Sequence, residues 1–202
     1  MKIKGIKEYY DDSVDMWIDD WYCNDTMVPF LKNVKLLLNN KVRVLDLGCN
    51  SGYETSRMKK IGLDPVGLDF SKKSIDEAKK RNKDISFVCD DMLNDLTYLG
   101  KFDAVVAIAS IIHIPVEKLS ICFKRIFDIL NDDGYLFMVV RTEEGKLDAS
   151  YKEINGVKYD REVYGYSLDL YKEKMDGLFD FFSELPSHDV HWKYYIFKKK
   201  SK

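Results

Sequence analysis

The sequence predicts an α/β protein built on one doubly wound, mostly parallel sheet of seven strands, with helices on both faces and an antiparallel hairpin at the C-terminus. Three observations support this fold class. Short apolar and β-branched runs alternate with helical segments between residues 42 and 140. Glycine or acidic residues follow several of these runs, where parallel sheets bind their ligands. Two further strand patterns near the C-terminus are joined by a short turn, which favours antiparallel pairing.

Length and composition indicate one globular domain over residues 1–202. Hydrophobic residues make up 46% of the chain and charged residues 33%, which is enough for one sizeable core and too little for two full domains. The net charge of -2 creates no positive field that favours nucleic acid or a membrane surface. The four cysteines have no C-x-x-C spacing and follow no secretory segment. We therefore expect a cytoplasmic monomer or homodimer with reduced thiols, binding neither nucleic acid nor membrane.

Residues 1–39 precede the first strand and carry amphipathic helical patterns. Apolar positions recur at helical spacing over residues 6–39, which predicts two or three helices. Tyr10, Trp17 and Trp21 fit core contacts with the main domain, which large aromatic side chains usually make, and they also fit a lid over a ligand. We expect this helical segment to act as a lid.

The first strand predicts a ligand-binding turn. Its apolar run over residues 42–47 ends at Gly48, and Gly52 precedes a helical pattern over residues 53–61. A strand that turns sharply into a helix offers unpaired backbone N–H groups to a small anionic or zwitterionic ligand. A small ligand is therefore expected at this turn.

The alternation continues to the fifth strand. The predicted elements are strand 65–71, helix 72–82, strand 85–89, strand 102–108 buried on both faces, a helix that follows Pro115, a turn at 131–134 and strand 135–140. Ser71 is a suitable N-cap for the second of the helices. The polar segment 141–166 is too long for a plain connection and is expected to be an insertion over the site. A helix over residues 167–177 and a hairpin of strands 179–185 and 191–198 complete the fold.

Four short motifs stand at these strand ends. They are Asp46-Leu-Gly48-Cys-Asn50-Ser-Gly52, Gly67-Leu-Asp69-Phe70-Ser71, Asp91-Met92, and Phe102-Asp103 with His113-Ile-Pro115. Their order and placement resemble the motifs of the class I S-adenosylmethionine-dependent methyltransferases, which have a Rossmann-like fold. The resemblance covers residues 40–140, and the closing hairpin also fits it. Each motif is weak by itself, and the four together in this order are more specific.

The resemblance implies transfer of a methyl group from S-adenosylmethionine to an O, N or S atom of a small molecule by in-line displacement, leaving S-adenosylhomocysteine. The implied cofactor residues are Asp46, Gly48, Asn50 and Gly52 at the methionine end, Asp69 with Phe70 and Ser71 at the ribose, Asp91 and Met92 at the adenine, and Ala109 and Ser110 near the sulfonium. Asn50 departs from the family, which usually has glycine there. Asparagine tolerates a positive φ better than most residues, so the turn is expected to survive.

The acceptor side has weaker candidates. His113 is either a structural histidine before Pro115 or a general base facing the acceptor. The candidate substrate residues in the lid and the insertion are Tyr10, Trp17, Trp21, Arg141, Tyr159 and Tyr164. The tyrosines of the insertion, and Arg161 beside them, fit a packed surface loop equally well. His188 and His191 have no further ligands nearby in sequence, so no metal site is expected.

Alternatives remain open at the level of residues and of function. Asp69 could simply cap the following helix, and Asp90 with Asp91 could form an ordinary turn. The chain could be a catalytically inactive module that binds the cofactor as a sensor or partner subunit. A nicotinamide-dependent oxidoreductase is disfavoured. Its G-x-G-x-x-G fingerprint, started at Gly48, requires glycines at the positions that Asn50 and Tyr53 occupy here. The Asn/Asp-Pro-Pro-aromatic motif of enzymes that methylate exocyclic amines is absent at residues 107–110, which argues against DNA bases as acceptors.

Overall fold

Helices and strands alternate in the computed structural model, which describes residues 3–40, 42–187 and 189–201. The helices are α1 (Ile6–Cys23), α2 (Val28–Leu38), α3 (Tyr53–Lys60), α4 (Lys72–Arg81), α5 (Leu119–Ile129) and α6 (Leu168–Lys174). The strands are β1 (Arg43–Leu47), β2 (Asp64–Asp69), β3 (Ser86–Cys89), β4 (Phe102–Ile108), β5 (Leu130–Arg141), β6 (Gly145–Lys146), β7 (Tyr151–Ile154), β8 (Val157–Asp160), β9 (Tyr164–Gly165), β10 (Phe179–Leu185) and β11 (Trp192–Lys199). Among these described residues, no helix has the length and apolar character that crossing a membrane requires.

Seven strands form the central sheet, in the order β10-β11-β5-β4-β1-β2-β3. β1 is parallel to β2 and β4, β3 is parallel to β2, and β5 is parallel to β4. β11 is antiparallel to both β5 and β10. The predicted fold class is therefore confirmed. The strand order reverses between β1 and β4, so the topological switch point, where such sheets bind ligands, lies at the carboxyl end of β1.

Buried side chains cover both faces of the sheet. Because successive strand residues point to opposite faces, Val105 packs in the cluster that includes α5 and α6, and Val106 packs in the cluster that includes α2 and α3. Both side chains are fully buried. β4 is thus covered on both faces, as its largely apolar sequence predicts.

Two boundaries differ from the sequence-based expectation. β5 begins at Leu130, because the register shifts so that Phe102 pairs with Leu130 and Ala104 with Tyr135. The turn expected at residues 131–134 is consequently a bulge inside the strand. Pro115 does not open α5 directly, since a 3₁₀ turn over Val116–Lys118 comes between them.

The insertion and the N-terminal segment are joined. Residues 141–166 form two short antiparallel pairs, β6 with β9 and β7 with β8. The backbone of Lys4 donates to the Lys158 carbonyl at 3.0 Å and accepts from the Asp160 N–H at 2.9 Å, beside β8. The Tyr159 hydroxyl donates to Asp12 Oδ2 on α1 at 2.9 Å. We call α1 and residues 141–166 together the roof, because they are tied into one unit above the strand ends.

Candidate functional site

A cavity of about 1030 Å³ lies between the roof and the carboxyl ends of the strands. Most residues that the sequence predicts for the site line it, namely Tyr10, Trp17, Trp21, Gly48, Asn50, Asp69, Phe70, Asp91, Met92, Ala109, Ser110, His113 and Arg141. The predicted residues outside its lining are Asp46, Gly52, Ser71, Tyr159 and Tyr164. Strand ends that are far apart in sequence therefore meet the lid and the insertion at one cavity.

The glycine turn after β1 approaches the end of β4 very closely. Gly48 has a φ of +80°, and a Cβ on it would lie 2.4 Å from Ser110 Cβ, so no other residue fits without a shift. Asn50 has a φ of 49°, the left-handed conformation that asparagine tolerates. Gly52 is required for packing and does not line the cavity. A Cβ at this position would lie 2.8 Å from the Phe87 ring.

Asp69, at the end of β2, holds the glycine turn and also faces the cavity. Its Oδ2 accepts from the Asn50 N–H at 2.9 Å, and its Oδ1 accepts from the Ser71 N–H at 2.8 Å. Burial raises the pKa of the Asp69 carboxyl to about 6. The capping of α4 falls to Ser71, whose Oγ accepts from the Ser74 N–H. Ser71 also donates to Asp11 of α1 at 2.7 Å, so it links the lid to β2 and lies outside the cavity lining.

Asp46 lies behind the glycine turn. Its Oδ2 accepts from the Thr55 hydroxyl at 2.6 Å, and burial raises the pKa of its carboxyl to about 7. The buried carboxyl thus fixes α3 to β1 from below the turn, without lining the cavity.

The turn after β3 has the internal hydrogen bonds of an ordinary acidic turn and still faces the cavity. Asp90 accepts from the Tyr98 hydroxyl at 2.6 Å and from the Asn94 amide at 2.7 Å. Asp91 is exposed and accepts from the Leu93 N–H. Met92 is buried in the cavity lining. The turn geometry and a ligand-facing position are therefore compatible.

The end of β4 carries backbone strain and an unused polar atom. Ala109 has a φ of 52°, which is costly for a residue with a Cβ and is concentrated at functional sites. The buried Ser110 Oγ has no hydrogen-bond partner among the described residues. Both residues line the cavity, so Ser110 offers a polar atom for a ligand to bind.

His113 connects the sheet to both halves of the roof. Its Nδ1 lies 2.9 Å from the Arg161 carbonyl oxygen and therefore donates. Its Nε2 then accepts from the Tyr10 hydroxyl of α1 at 2.8 Å. Burial, with the Arg161 charge in second place, lowers the pKa of His113 to about 4. The imidazole is consequently neutral at pH 7, with both nitrogens engaged.

The C-terminal end of α1 covers the glycine turn. The Trp21 ring stacks on the Tyr53 ring, with centroids 5.6 Å apart. The Tyr22 hydroxyl donates to the Ser51 carbonyl oxygen at 2.9 Å. Arg57 of α3 donates to the Trp21 and Tyr22 carbonyl oxygens in the last turn of α1, where the carbonyls lack N–H partners one turn further along the helix. The lid is thus attached to the loop that it covers.

The remaining acceptor candidates separate into one that faces the cavity and two that do not. The Arg141 guanidinium lies 5.0 Å from the Trp192 ring centroid and pairs with Glu143 at 2.6 Å. Tyr159 is buried against α1, and the Tyr164 ring stacks on Tyr166. Sequence reasoning missed Trp192, although pairing of β11 with β5 places it opposite Arg141.

Metal ligands are not clustered in the described ranges, where no group of three or more His, Cys, Asp or Glu could hold an ion. His188 lies outside the described residues. His191 Nδ1 lies 2.9 Å from Glu143 Oε1.

Comparison with known proteins finds that residues 44–134 match a family model described as a methyltransferase domain. A glycine/sarcosine N-methyltransferase from Halorhodospira halochloris is 25% identical over 84% of this chain and 65% of its own length. A ubiquinone biosynthesis O-methyltransferase from Pelagibacter ubique is 32% identical over 54% of this chain and 42% of its own length. The chain thus spans less than two thirds of either relative.

A solved structure has the same fold. Magnesium protoporphyrin IX methyltransferase from Synechocystis PCC 6803, with S-adenosylhomocysteine bound, superposes with a TM-score of 0.73 at 15% identity, over 96% of this chain and 98% of that one.

Proposed function

We propose that this chain, whose residues 44–134 match the methyltransferase-domain model, is a class I S-adenosylmethionine-dependent enzyme that methylates an O, N or S atom of a small molecule. Among its relatives, one is named for an N-methylation and another for an O-methylation. The net charge of -2 supports a small acceptor in preference to nucleic acid. All four cysteines are free thiols, which supports a cytoplasmic location.

The cavity residues fit S-adenosylmethionine. Gly48 leaves room for close approach to the backbone, and Ser110 Oγ is a buried polar atom without a partner among the described residues. Asp69 presents an acidic acceptor suited to ribose hydroxyls, while Asp91 and Met92 suit the adenine edge. The named residues would hold the cofactor along the ends of β1, β2, β3 and β4.

The observation that supports the proposal most is the continuity of the cavity. The same space touches Asp69 at the ribose position and reaches His113, Arg141 and Trp192 beneath the roof. A volume of about 1030 Å³ is at the upper end of small-ligand sites, as expected for a site with two ligands. The described residues around it therefore have room for cofactor and acceptor side by side.

When bound, S-adenosylmethionine supplies a sulfonium-activated methyl group for in-line displacement. The chain contributes alignment and exclusion of water, which such a transfer mainly requires. We assign His113 to positioning, since its Nδ1 is fixed by the insertion and its Nε2 by Tyr10. With a pKa of about 4, it is a weak proton acceptor at pH 7. A general-base role would require the Tyr10 hydroxyl to leave Nε2.

Calorimetric titration tests the cofactor first. S-adenosylmethionine and S-adenosylhomocysteine should both bind, and incubation with a library of small amines, phenols, thiols and acids should release S-adenosylhomocysteine detectable by mass spectrometry. Absence of binding by either compound at millimolar concentration would refute the proposal. Tight binding with no turnover across the library would favour a cofactor-binding module without catalytic activity.

A further inference from the structure

Arg161 is a cavity residue whose charge is not neutralised. It follows β8 in the insertion and is half-buried. Its guanidinium donates to the Ala149 carbonyl oxygen at 2.9 Å and lies 5.0 Å from the Tyr9 ring centroid. The buried Nε has no hydrogen-bond partner in the described part of the chain. The guanidinium is therefore held rigidly, with donor capacity to spare.

Two neighbouring cations of the roof, Arg141 and Lys146, have carboxylate partners, whereas Arg161 has none among the described residues. Arg141 pairs with Glu143 at 2.6 Å, and Lys146 pairs with Asp160 at 2.5 Å. Glu153 and Glu162 line the same cavity, yet across residues 3–40, 42–187 and 189–201 no carboxylate comes within ion-pair distance of Arg161. A partly buried charge without a counter-ion is unfavourable, so an incoming anion is stabilised at this position.

Aromatic side chains are frequent in the lining of the same cavity. They are Tyr9, Tyr10, Trp17, Trp21, Tyr53, Phe70 and Trp192, and the Tyr9 ring lies 5.0 Å from the Arg161 guanidinium. Rings of this kind contact planar ligands over large areas. A guanidinium also binds carboxylate or phosphate through two parallel hydrogen bonds.

We propose that Arg161 binds an oxyanion of the methyl acceptor, which is a planar, unsaturated small molecule carrying a carboxylate or phosphate. This inference rests on the proposed function. The oxyanion anchors the molecule under the roof beside His113, and a different atom of it receives the methyl group.

The carboxylate of the cofactor's methionine is the other possible source of an oxyanion. The contacts of Arg161 favour the acceptor, because its guanidinium contacts the Tyr9 ring and the Ala149 carbonyl oxygen, and its backbone carbonyl oxygen accepts from His113. No hydrogen bond or ring contact within the described residues joins its side chain to the glycine turn over residues 48–52.

Paired titrations test the proposal. Benzoate, 3-phenylpropionate and phenyl phosphate are titrated into the protein by calorimetry, each against its neutral partner (benzamide, 3-phenylpropionamide and phenol), with and without S-adenosylhomocysteine. We expect at least one anion to bind about tenfold or more tightly than its partner, as a charge-assisted hydrogen bond provides. Arg161→Gln should remove this preference, and Arg161→Lys should retain part of it. Melting curves establish that both variants are folded.

The matched control is Arg43→Gln, which removes an exposed guanidinium at the amino end of β1, outside the cavity lining, and should leave the preference intact. Lack of any anion preference in the wild-type protein would overturn the proposal. So would a loss of S-adenosylhomocysteine affinity of about tenfold in Arg161→Gln with the acid preference unchanged, which would assign the arginine to the cofactor. Failure of the wild-type protein to bind S-adenosylhomocysteine would contradict the proposed function instead. The titrations carried out without S-adenosylhomocysteine would still measure the preference of Arg161 for anionic over neutral compounds.

Discussion

Asp69→Asn should remove a loss of stability that the wild-type protein undergoes between about pH 4 and pH 6, and it should weaken binding of the cofactor. The carboxyl is 7% exposed, and its pKa is raised from 3.8 to about 6. Between these values the folded state binds a proton that the unfolded state has released. The free energy of unfolding of the wild-type protein therefore falls as pH rises through this window. The free energy of unfolding of Asp69→Asn does not fall in this way, because the asparagine side chain does not titrate.

The size of the effect follows from the shift. A raise from 3.8 to about 6, at 1.36 kcal/mol for each unit, corresponds to about 3 kcal/mol. The free energy of unfolding of Asp69→Asn, minus that of the wild-type protein, should rise by about this amount between pH 3.5 and pH 7.5. The amide can no longer accept from both the Asn50 and Ser71 N–H groups. That lost bond subtracts a roughly constant 1–3 kcal/mol at all pH values.

Urea unfolding at several pH values measures the difference in free energy of unfolding between the variant and the wild-type protein. Calorimetry measures the affinity for S-adenosylhomocysteine, which should fall about 10- to 150-fold because a charged acceptor is lost. Asp76→Asn is the matched control, because Asp76 is an exposed carboxylate paired with Lys72 and should change the free energy of unfolding by about 0.5 kcal/mol or less. A stability difference that is flat with pH would refute the burial argument. An unchanged affinity would restrict Asp69 to holding the turn.

Three further substitutions test the site. His113→Asn should lower the free energy of unfolding, measured in urea, by about 1–3 kcal/mol. It should reduce turnover by less than about tenfold. A larger loss of turnover at unchanged stability would instead show that His113 is a general base. Gly48→Ala, with its Cβ 2.4 Å from Ser110 Cβ, should cost about 1–3 kcal/mol of stability and reduce S-adenosylhomocysteine binding measured calorimetrically. Tyr10→Phe removes the donor to His113 Nε2 and should destabilise the protein by about 1–3 kcal/mol in urea, whereas no change would mean that water replaces the hydroxyl.

The sheet could be predicted from the sequence because each of its strands is encoded locally. The run from Phe102 to Ile108 has no polar interruption except Asp103, and only a strand covered on both faces accommodates it. Parallel strands place their carboxyl ends at one edge of the sheet. Asp69, Asp91 and Ser110 consequently follow from the strand order alone.

The roof could not be predicted in the same way, because its contacts join residues that are far apart in sequence. The sequence predicts Tyr159 and Tyr164 as substrate residues, whereas in the fold Tyr159 donates to Asp12 and Tyr164 stacks on Tyr166. Nothing in the local pattern around Tyr159 indicates a partner on α1. Arg141 and Arg161 both have acidic residues close to them in the sequence. Only the fold shows that Glu143 pairs with Arg141 and that Arg161 has no such partner among the described residues.

The contacts of the roof bear on how both ligands reach the cavity. α1 has 18 residues and buries only Tyr9, Ser13, Val14 and Ile18, whereas the 11 residues of α5 bury five. An element with few buried residues is held mainly by its polar and ring contacts, which for α1 include the Tyr22 and Arg57 hydrogen bonds at the glycine turn. Because Lys4 pairs with β8 and Asp12 accepts from Tyr159, the N-terminal segment is also joined to the insertion. A displacement of α1 that breaks these bonds would expose the glycine turn and Arg161 together, so we expect both ligands to gain access to the cavity in one step.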